Sequence, residues 1–268
     1  MGYEELTHRY FIKVENQNKL SQITVNTETE DTLLGGSVRL RQPRDGFRAA
    51  IDTVFLAASV PAKSGQSVLE LGIGTGGAAL CLSHRITDLK ILGMDINSSA
   101  IALARENILL NGAGKNVDAV IGDVAEPLPK NFEAAFDHVM MNPPFLSENT
   151  NHVSPNPGRA LATKETNADL QRWLKIGHDA LVHKGYLTVV HRADRLTELI
   201  KILPLNFGGV SILPLWPHQG EEAKRVIIQL RKGTRSPTRI LPGLSIHNAD
   251  GTYRDAATRV LNGAAIEI

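Results

Sequence analysis

The sequence predicts an α/β protein whose core is a doubly wound, largely parallel β-sheet. The main observation is an alternation, from residue 67 onward, of short apolar runs with segments whose apolar residues recur at helical spacing. Repeated βα units of this kind form parallel sheets with helices on both faces. The second observation is that several predicted strands end in polar or glycine-rich residues. Ligands of such sheets bind beyond the carboxyl ends of the strands, so we expect the functional site there.

Seven strands are predicted in the core, at residues 67–71, 90–95, 117–122, 136–141, 185–191, 210–215 and 225–231. Helical spacing between and after them predicts helices at residues 77–86, 98–111, 168–182 and 193–203. The core domain is therefore expected to cover residues 63–233.

Three further segments flank this core. Residues 1–31 are polar, with three basic against six acidic residues, and are predicted to form a loosely docked acidic arm. Residues 32–62 predict a hairpin with a Gly35-Gly36 turn, followed by a helix that stops before Pro61. Residues 234–268 predict a second hairpin, with its turn at residues 248–251, and a short terminal helix.

The composition is ordinary for a soluble globular protein, and we expect a cytoplasmic location. Apolar residues make up 42% of the 268 residues, and the net charge is +1. No apolar run approaches the length of about 20 residues that a membrane helix needs, and the first residues lack the order of a signal peptide. The one cysteine, Cys81, lies in an apolar run, so a disulfide framework is excluded and burial is expected. We find no convincing metal-ligand cluster.

Polar residues follow the first three predicted strands. Glu70 ends the first strand and precedes a loop with Gly72, Gly74 and Gly76; the second strand ends at Asp95 and the third precedes Asp123. Glycines permit a tight strand-to-helix turn and a close ligand approach. Gly72, Gly74 and Gly77, with Asp95 at about the expected distance, also fit the dinucleotide fingerprint, so a NAD-binding oxidoreductase is a competing interpretation. A dinucleotide site explains neither Asp123 nor the Asn-Pro-Pro-Phe segment at residues 142–145.

The fourth strand ends in Asn142-Pro143-Pro144-Phe145. Two adjacent prolines stop the strand and stiffen the backbone. The amide and carbonyl oxygens of such a loop can accept hydrogens from an exocyclic NH2 group while the aromatic ring stacks on a planar substrate. The alternative is an ordinary turn, but the order of all four strand ends favours a binding site.

These motifs resemble those of the class I S-adenosylmethionine-dependent methyltransferases, in the branch that methylates amines. The flanking residues are similar to the bacterial tRNA1(Val) adenine-N6 methyltransferase family: Gln42, Gly46-Phe47-Arg48, Ile51-Asp52 and residues 154–160, 191–196 and 224–233. The resemblance covers about residues 30–255. It implies a Rossmann-like, seven-stranded sheet, mostly parallel with an antiparallel last strand.

The resemblance also implies roles for the strand-end residues. Asp95 would bind the ribose hydroxyls of S-adenosylmethionine, and Asp123 with the Val124 N–H would bind its adenine. Glu70 and the glycine loop would hold its cationic methionine end. Asn142 and the Pro143 carbonyl would accept the hydrogens of an adenine N6 amine.

The implied partner is RNA, most specifically tRNA methylated at adenine N6 near the anticodon. Candidate RNA contacts are Arg39, Arg41, Arg44, Phe47, Arg48, Arg159, His191 and Arg192. Burial is the favoured interpretation of His191, and the charge runs at residues 39–48 and 224–239 could also be solvated surface. Four alternatives stay open: an rRNA guanine-N2, a protein glutamine or a small-molecule O-methyltransferase, and a non-catalytic RNA-binding module.

Overall fold

The computed structural model describes residues 28–44, 48–144 and 169–268. Residues 1–27, which form most of the predicted acidic arm, lie outside these ranges. So do three candidate site residues, Phe47, Phe145 and Arg159, and the family-like segment 154–160.

An antiparallel hairpin opens the described chain. It consists of β1 (Glu28–Leu33) and β2 (Val38–Pro43), joined by a short 3-10 turn at Leu34–Gly36. Gly35 and Gly36 have φ of 62° and 98°, which explains the glycine pair in the predicted turn. The hairpin begins at Glu28 instead of residue 32, so the last acidic residues assigned to the arm belong to β1. Helix α1 (Ile51–Ser59) follows and ends before Pro61, as predicted.

The core contains the predicted βα alternation. Its strands are β3 (Ser67–Leu71), β4 (Lys90–Asp95), β5 (Val117–Ile121), β6 (Phe136–Met141), β7 (Leu181–Arg192), β8 (Phe207–His218) and β9 (Arg225–Lys232). Its helices are α2 (Gly77–Arg85), α3 (Ser98–Leu110), α4 (Leu170–Ala180) and α5 (Leu196–Lys201). The strand order is β8-β9-β7-β6-β3-β4-β5, and β9 runs antiparallel to both of its neighbours. The predicted mostly parallel sheet with an antiparallel last strand is confirmed.

The tail extends this sheet. Strands β10 (Arg239–Ile240) and β11 (Leu244–His247) pair in parallel with the outer edge of β8, which gives nine strands. The predicted turn at residues 248–251 forms and leads to a single bridge between His247 and Tyr253, before helix α6 (Asp255–Leu261). The tail strands thus differ from the predicted separate hairpin. By pairing with β8, β10 and β11 shield backbone groups that β8 would otherwise expose as an edge strand.

Apolar side chains fill both faces of the sheet. One core contains Phe55 and Leu56 of α1, and the other contains Trp173 and Leu174 of α4. Cys81 is buried in the first core, where loss of solvation raises the pKa of its thiol to about 12. In the described ranges, no helix has both the length and the apolarity to cross a membrane.

Candidate active site

The carboxyl ends of four neighbouring strands lie at one edge of the sheet. Leu71 of β3 is level with Met94 of β4 and with Met141 of β6, and Asp95 of β4 is level with Ile121 of β5. The loops that follow, residues 72–76, 95–97, 122–124 and 142–144, therefore meet at this edge. We refer to these four loops as the rim. They contain Asn142 and all the predicted cofactor-binding residues except Glu70, which lies in β3 just before the first loop.

The glycine loop of the rim needs its glycines for different reasons. Gly72, Gly74 and Gly76 have φ of 73°, 54° and 91°, a region that other residues rarely adopt. A Cβ on Gly72 would lie 2.9 Å from the Trp173 ring, whereas a Cβ on Gly74 would have no atom within 4 Å. The Trp173 ring thus leaves no space for a side chain at Gly72, whereas space for a ligand remains beside Gly74.

Asp95 holds this loop in place. Its Oδ2 accepts a hydrogen bond from the Gly74 N–H at 2.9 Å, and its Oδ1 accepts one from the Asn97 N–H at 2.9 Å. Burial raises the pKa of the Asp95 carboxyl, and the backbone donors oppose that shift. A carboxylate has about four lone-pair sites, so Asp95 can still accept a ligand hydroxyl beside these backbone donors.

Glu70 lies behind the loop and is only 4% exposed. Its Oε2 is buried and has no hydrogen-bond partner in the part of the chain that the structure describes. Loss of solvation raises the pKa of Glu70 well above its ordinary value, and the nearby charge of Asp95 acts in the same direction. A cationic ligand would offset both effects, so the site fits the positively charged end of S-adenosylmethionine.

The buried carboxyl group of Glu70 is predicted to lower the stability of the protein when no ligand is bound. Because the pKa is higher in the folded state than in the unfolded chain, the folded protein favours the protonated form and loses stability as the pH rises through that raised pKa. We expect Glu70→Gln to raise the midpoint of thermal unfolding of the cofactor-free protein at pH 8 by about 2–4 °C. The gain should shrink towards pH 5. Calorimetry across this range measures it, and the same variant should bind S-adenosylmethionine more weakly.

The third loop of the rim contains Asp123. Its Oδ1 accepts a hydrogen bond from the Ala125 N–H at 2.8 Å, which shapes the turn after β5. The adjacent Val124 carbonyl accepts a hydrogen bond from Arg172 Nε at 3.0 Å. Arg172 and Trp173 lie in the first turn of α4, so this turn contacts two loops of the rim. Sequence analysis missed both residues, because nothing local marks a helix turn as a neighbour of distant loops.

Asn142 directly follows β6 at the rim. Its side-chain Oδ1 is buried and has no hydrogen-bond partner among the described residues. A buried acceptor without a partner costs about 1–3 kcal/mol. Such a group is unfavourable for stability alone, and it is suited to accept a hydrogen from a bound ligand. Pro143 and Pro144 follow it, and Pro143 is buried.

The candidate RNA-contacting arginines of the hairpin are paired with acidic residues. Arg39 contacts Glu30 at 2.8 Å, and Arg41 lies 3.7 Å from both Glu30 and Glu106. Arg48 pairs with Asp31 of β1 and donates to the Thr29 hydroxyl at 2.7 Å. Exposed ion pairs contribute about 0–1 kcal/mol, so a phosphate could replace these partners. Arg44 follows β2 directly.

His191 and Arg192 end β7, beside β6. His191 is fully buried, and its pKa is lowered to about 4, first by burial and then by the charge of Arg195. It is therefore a neutral core side chain, as the burial interpretation predicts. Arg192 is partly exposed and pairs with Asp194. On the adjacent β9, Arg225 contacts Asp52 of α1 at 2.7 Å.

The second basic run does not form one surface. Arg225 is level with Arg192 at the rim end of the sheet, whereas Arg231 is level with Tyr186 near the opposite end. Lys232 donates to the carbonyls of His178 and Leu181. A strand of this length spans about 26 Å, so its two ends cannot contact the same short segment of a partner.

No group of three or more metal-ligating side chains occurs in residues 28–44, 48–144 and 169–268.

Comparisons with known proteins bear on this site. The family model for the methyltransferase small domain matches residues 48–213. The tRNA1(Val) (adenine(37)-N6)-methyltransferase of Aeromonas hydrophila is 26% identical over 215 residues, which cover 79% of this chain and 87% of that relative. The release factor glutamine methyltransferase of Aliivibrio fischeri is 31% identical over 140 residues, 50% of this chain. That match spans about half (48%) of the relative's length.

Solved structures share the fold. The crystal structure of a predicted O-methyltransferase from Agrobacterium tumefaciens has a TM-score of 0.67 at 21% identity, over 81% of this chain and 99% of that chain. TYW2 of P. horikoshii in complex with MeSAdo has a TM-score of 0.55 at 12% identity, over 78% and 72% of the two chains. The chain thus belongs to the methyltransferase small domain family and is a class I S-adenosylmethionine-dependent methyltransferase.

Proposed function

We propose that this enzyme methylates an exocyclic amine, the N6 amine of an adenine in tRNA close to the anticodon. The observation that carries the proposal is the buried Asn142 Oδ1, which lies at the rim beside the glycine loop and has no hydrogen-bond partner within residues 28–44, 48–144 and 169–268. The relatives named tRNA1(Val) (adenine(37)-N6)-methyltransferase support adenine in tRNA as the acceptor.

The rim residues would hold S-adenosylmethionine, which supplies an electrophilic methyl group on a positively charged sulfur. Glu70 and the backbone of Gly72, Gly74 and Gly76 would bind its methionine end. Asp95 would accept its ribose hydroxyls. The Asp123 carboxylate and the Val124 N–H would bind its adenine.

Asn142 and the prolines would prepare the acceptor. The lone pair of an adenine N6 amine is delocalised into the ring, so the amine is a poor nucleophile. Hydrogen bonds to Asn142 Oδ1 and to the Pro143 carbonyl would draw the two amine hydrogens aside and turn the lone pair towards the methyl group. The nitrogen would take the methyl group as the bond of that group to the sulfonium sulfur breaks, which leaves a neutral thioether, and would then release a proton, acidic at that stage, to water. Catalysis of this kind depends on orientation and fixed dipoles.

The remaining candidates would contact RNA. Phe145 would stack on the target base, which leaves its stack at low cost when it lies in a loop. Arg39, Arg41 and Arg48 would exchange their carboxylate partners for phosphates. Arg44, Phe47, Arg159 and Arg192 would extend that contact, while the burial of His191 argues against a direct contact.

Methyl-group labelling tests this proposal. Enzyme and labelled S-adenosylmethionine are incubated with total tRNA from cells that lack the protein, and in parallel with total tRNA from cells that contain it. We expect label in the first tRNA and little in the second, whose sites are already methylated. Label in neither tRNA would contradict the proposal.

A protein glutamine acceptor is the second candidate. The release factor glutamine methyltransferase relative favours it, and a glutamine amide presents the same NH2 group to Asn142. Adding purified release factors to the labelling reaction separates the two candidates. Label in the release factor with unlabelled tRNA would establish the second candidate in place of the first.

A further inference from the structure

Asn107 of α3 and Asn111, the residue that caps the carboxyl end of α3, dock the hairpin onto the core. The Arg41 N–H donates to Asn107 Oδ1 at 2.7 Å, and Asn107 Nδ2 donates to the Arg41 carbonyl at 2.9 Å. One helical turn further, the Arg39 N–H donates to Asn111 Oδ1 at 2.9 Å, and Asn111 Nδ2 donates to the Arg39 carbonyl at 2.7 Å. Each amide thus satisfies both backbone groups of one residue of β2.

The spacing of the two elements makes this arrangement possible. Four residues of a helix rise about 6 Å, and two residues of a strand rise about 6.6 Å. The spacing of Asn107 and Asn111 along the helix therefore nearly equals that of the Arg41 and Arg39 backbone groups along β2. Both asparagines lie at the edge of β2 that β1 does not pair with.

The two amides differ in their third hydrogen bond. Asn111 Nδ2 donates to the carbonyl of Asn107 within the same helix at 2.7 Å. Asn107 Nδ2 instead donates at 2.9 Å to the carbonyl of Thr75, which lies between Gly74 and Gly76. Asn107 is fully buried, so water cannot replace this bond.

The glycine loop is thus held from two directions. Asp95 accepts a hydrogen bond from the Gly74 N–H. Asn107 donates one to the Thr75 carbonyl and also bonds to Arg41 of the hairpin. We propose that Asn107 is a positioning residue that links the seating of the hairpin to the conformation of the cofactor loop. Through this link, the hairpin contributes to the affinity for S-adenosylmethionine. The inference depends on the cofactor and not on the identity of the methyl acceptor.

A matched pair of variants tests the link, because Asn107→Ala and Asn111→Ala each remove three hydrogen bonds and loosen the same hairpin. Both should lower the thermal unfolding midpoint. We expect Asn107→Ala to weaken S-adenosylmethionine binding by about tenfold in titration calorimetry, and Asn111→Ala, which leaves the bond to Thr75 in place, to weaken it clearly less. Equal weakening in both variants would assign the effect to hairpin docking in general and overturn the proposal. Unchanged affinity in Asn107→Ala would overturn it as well.

Amide hydrogen exchange in the unaltered protein gives a second test, which does not require a variant to fold. Coupling between sites is reciprocal, so a bound cofactor must stabilise the link that improves its own binding. Saturation with S-adenosylmethionine should slow exchange at the Arg41 amide, which donates to Asn107. The Arg39 amide, which donates to Asn111, should be unaffected. An equal change at both amides, or no change at either, would contradict the proposal.

Discussion

Replacing Asn142 with alanine should lower turnover by about 10²–10³-fold, the range measured when one fixed polar group that stabilises a transition state is removed. The contact is expected to form with the acceptor amine, so affinity for S-adenosylmethionine should stay within about twofold of that of the unaltered enzyme. Initial-rate kinetics and titration calorimetry measure the two quantities separately.

The thermal unfolding midpoint of Asn142→Ala serves as the control for its turnover. The Asn142 Oδ1 is buried without a partner among the described residues, so its removal should leave the unfolding midpoint unchanged or slightly raised. A fall in turnover accompanied by a similar fall in stability would point to a structural role. Turnover close to that of the unaltered enzyme would refute the assigned contact with the amine.

Replacing Asp95 with alanine should weaken cofactor binding by about 100-fold, because hydrogen bonds to a charged group contribute about 1.5–3 kcal/mol. The variant removes the acceptor for the ribose hydroxyls. It also releases the Gly74 and Asn97 amides that the carboxylate holds. Titration calorimetry with S-adenosylmethionine measures the loss.

Asp137, near the amino end of β6, is a matched control at the opposite end of the parallel strands. Its Oδ2 accepts hydrogen bonds from the Ser67 N–H and the Ser67 hydroxyl, both at 2.9 Å. Asp137→Ala should therefore lower stability and preserve cofactor affinity. Equal losses of affinity in the two variants would mean that the effect of Asp95 reflects weakened folding and not a contact with the cofactor.

The strand ends of the core were predictable because the chain marks them locally. The predicted strands at residues 67–71, 90–95 and 136–141 agree with β3, β4 and β6 at both ends. In each case an apolar run stops at a glycine, a charged residue or a proline. Since parallel strands end at one edge, the sequence also places Glu70, Asp95, Asp123 and Asn142 near one another.

Long-range pairing was not predictable in the same way. The acidic residues of β1 were assigned to a separate arm, yet Glu30 pairs with Arg39 of β2 and Asp31 pairs with Arg48, which precedes α1. The tail strands join β8 because an open sheet edge is available there, and local turn residues carry no information about that edge.

Packing contacts across the rim were also missed. Trp173 closes the space beside Gly72, and Asn107 bonds to Thr75, although each pair is far apart in the sequence. A tryptophan or an asparagine on a helix is common, and only the assembled fold gives these two their positions.

Nucleoside mass spectrometry tests the central claim most directly. Transfer RNA from cells with and without the protein is digested, and the methylated nucleosides are compared. The account predicts more N6-methyladenosine in tRNA when the protein is present, and its loss again in cells that carry Asn142→Ala. Identical amounts of N6-methyladenosine with and without the protein would contradict it.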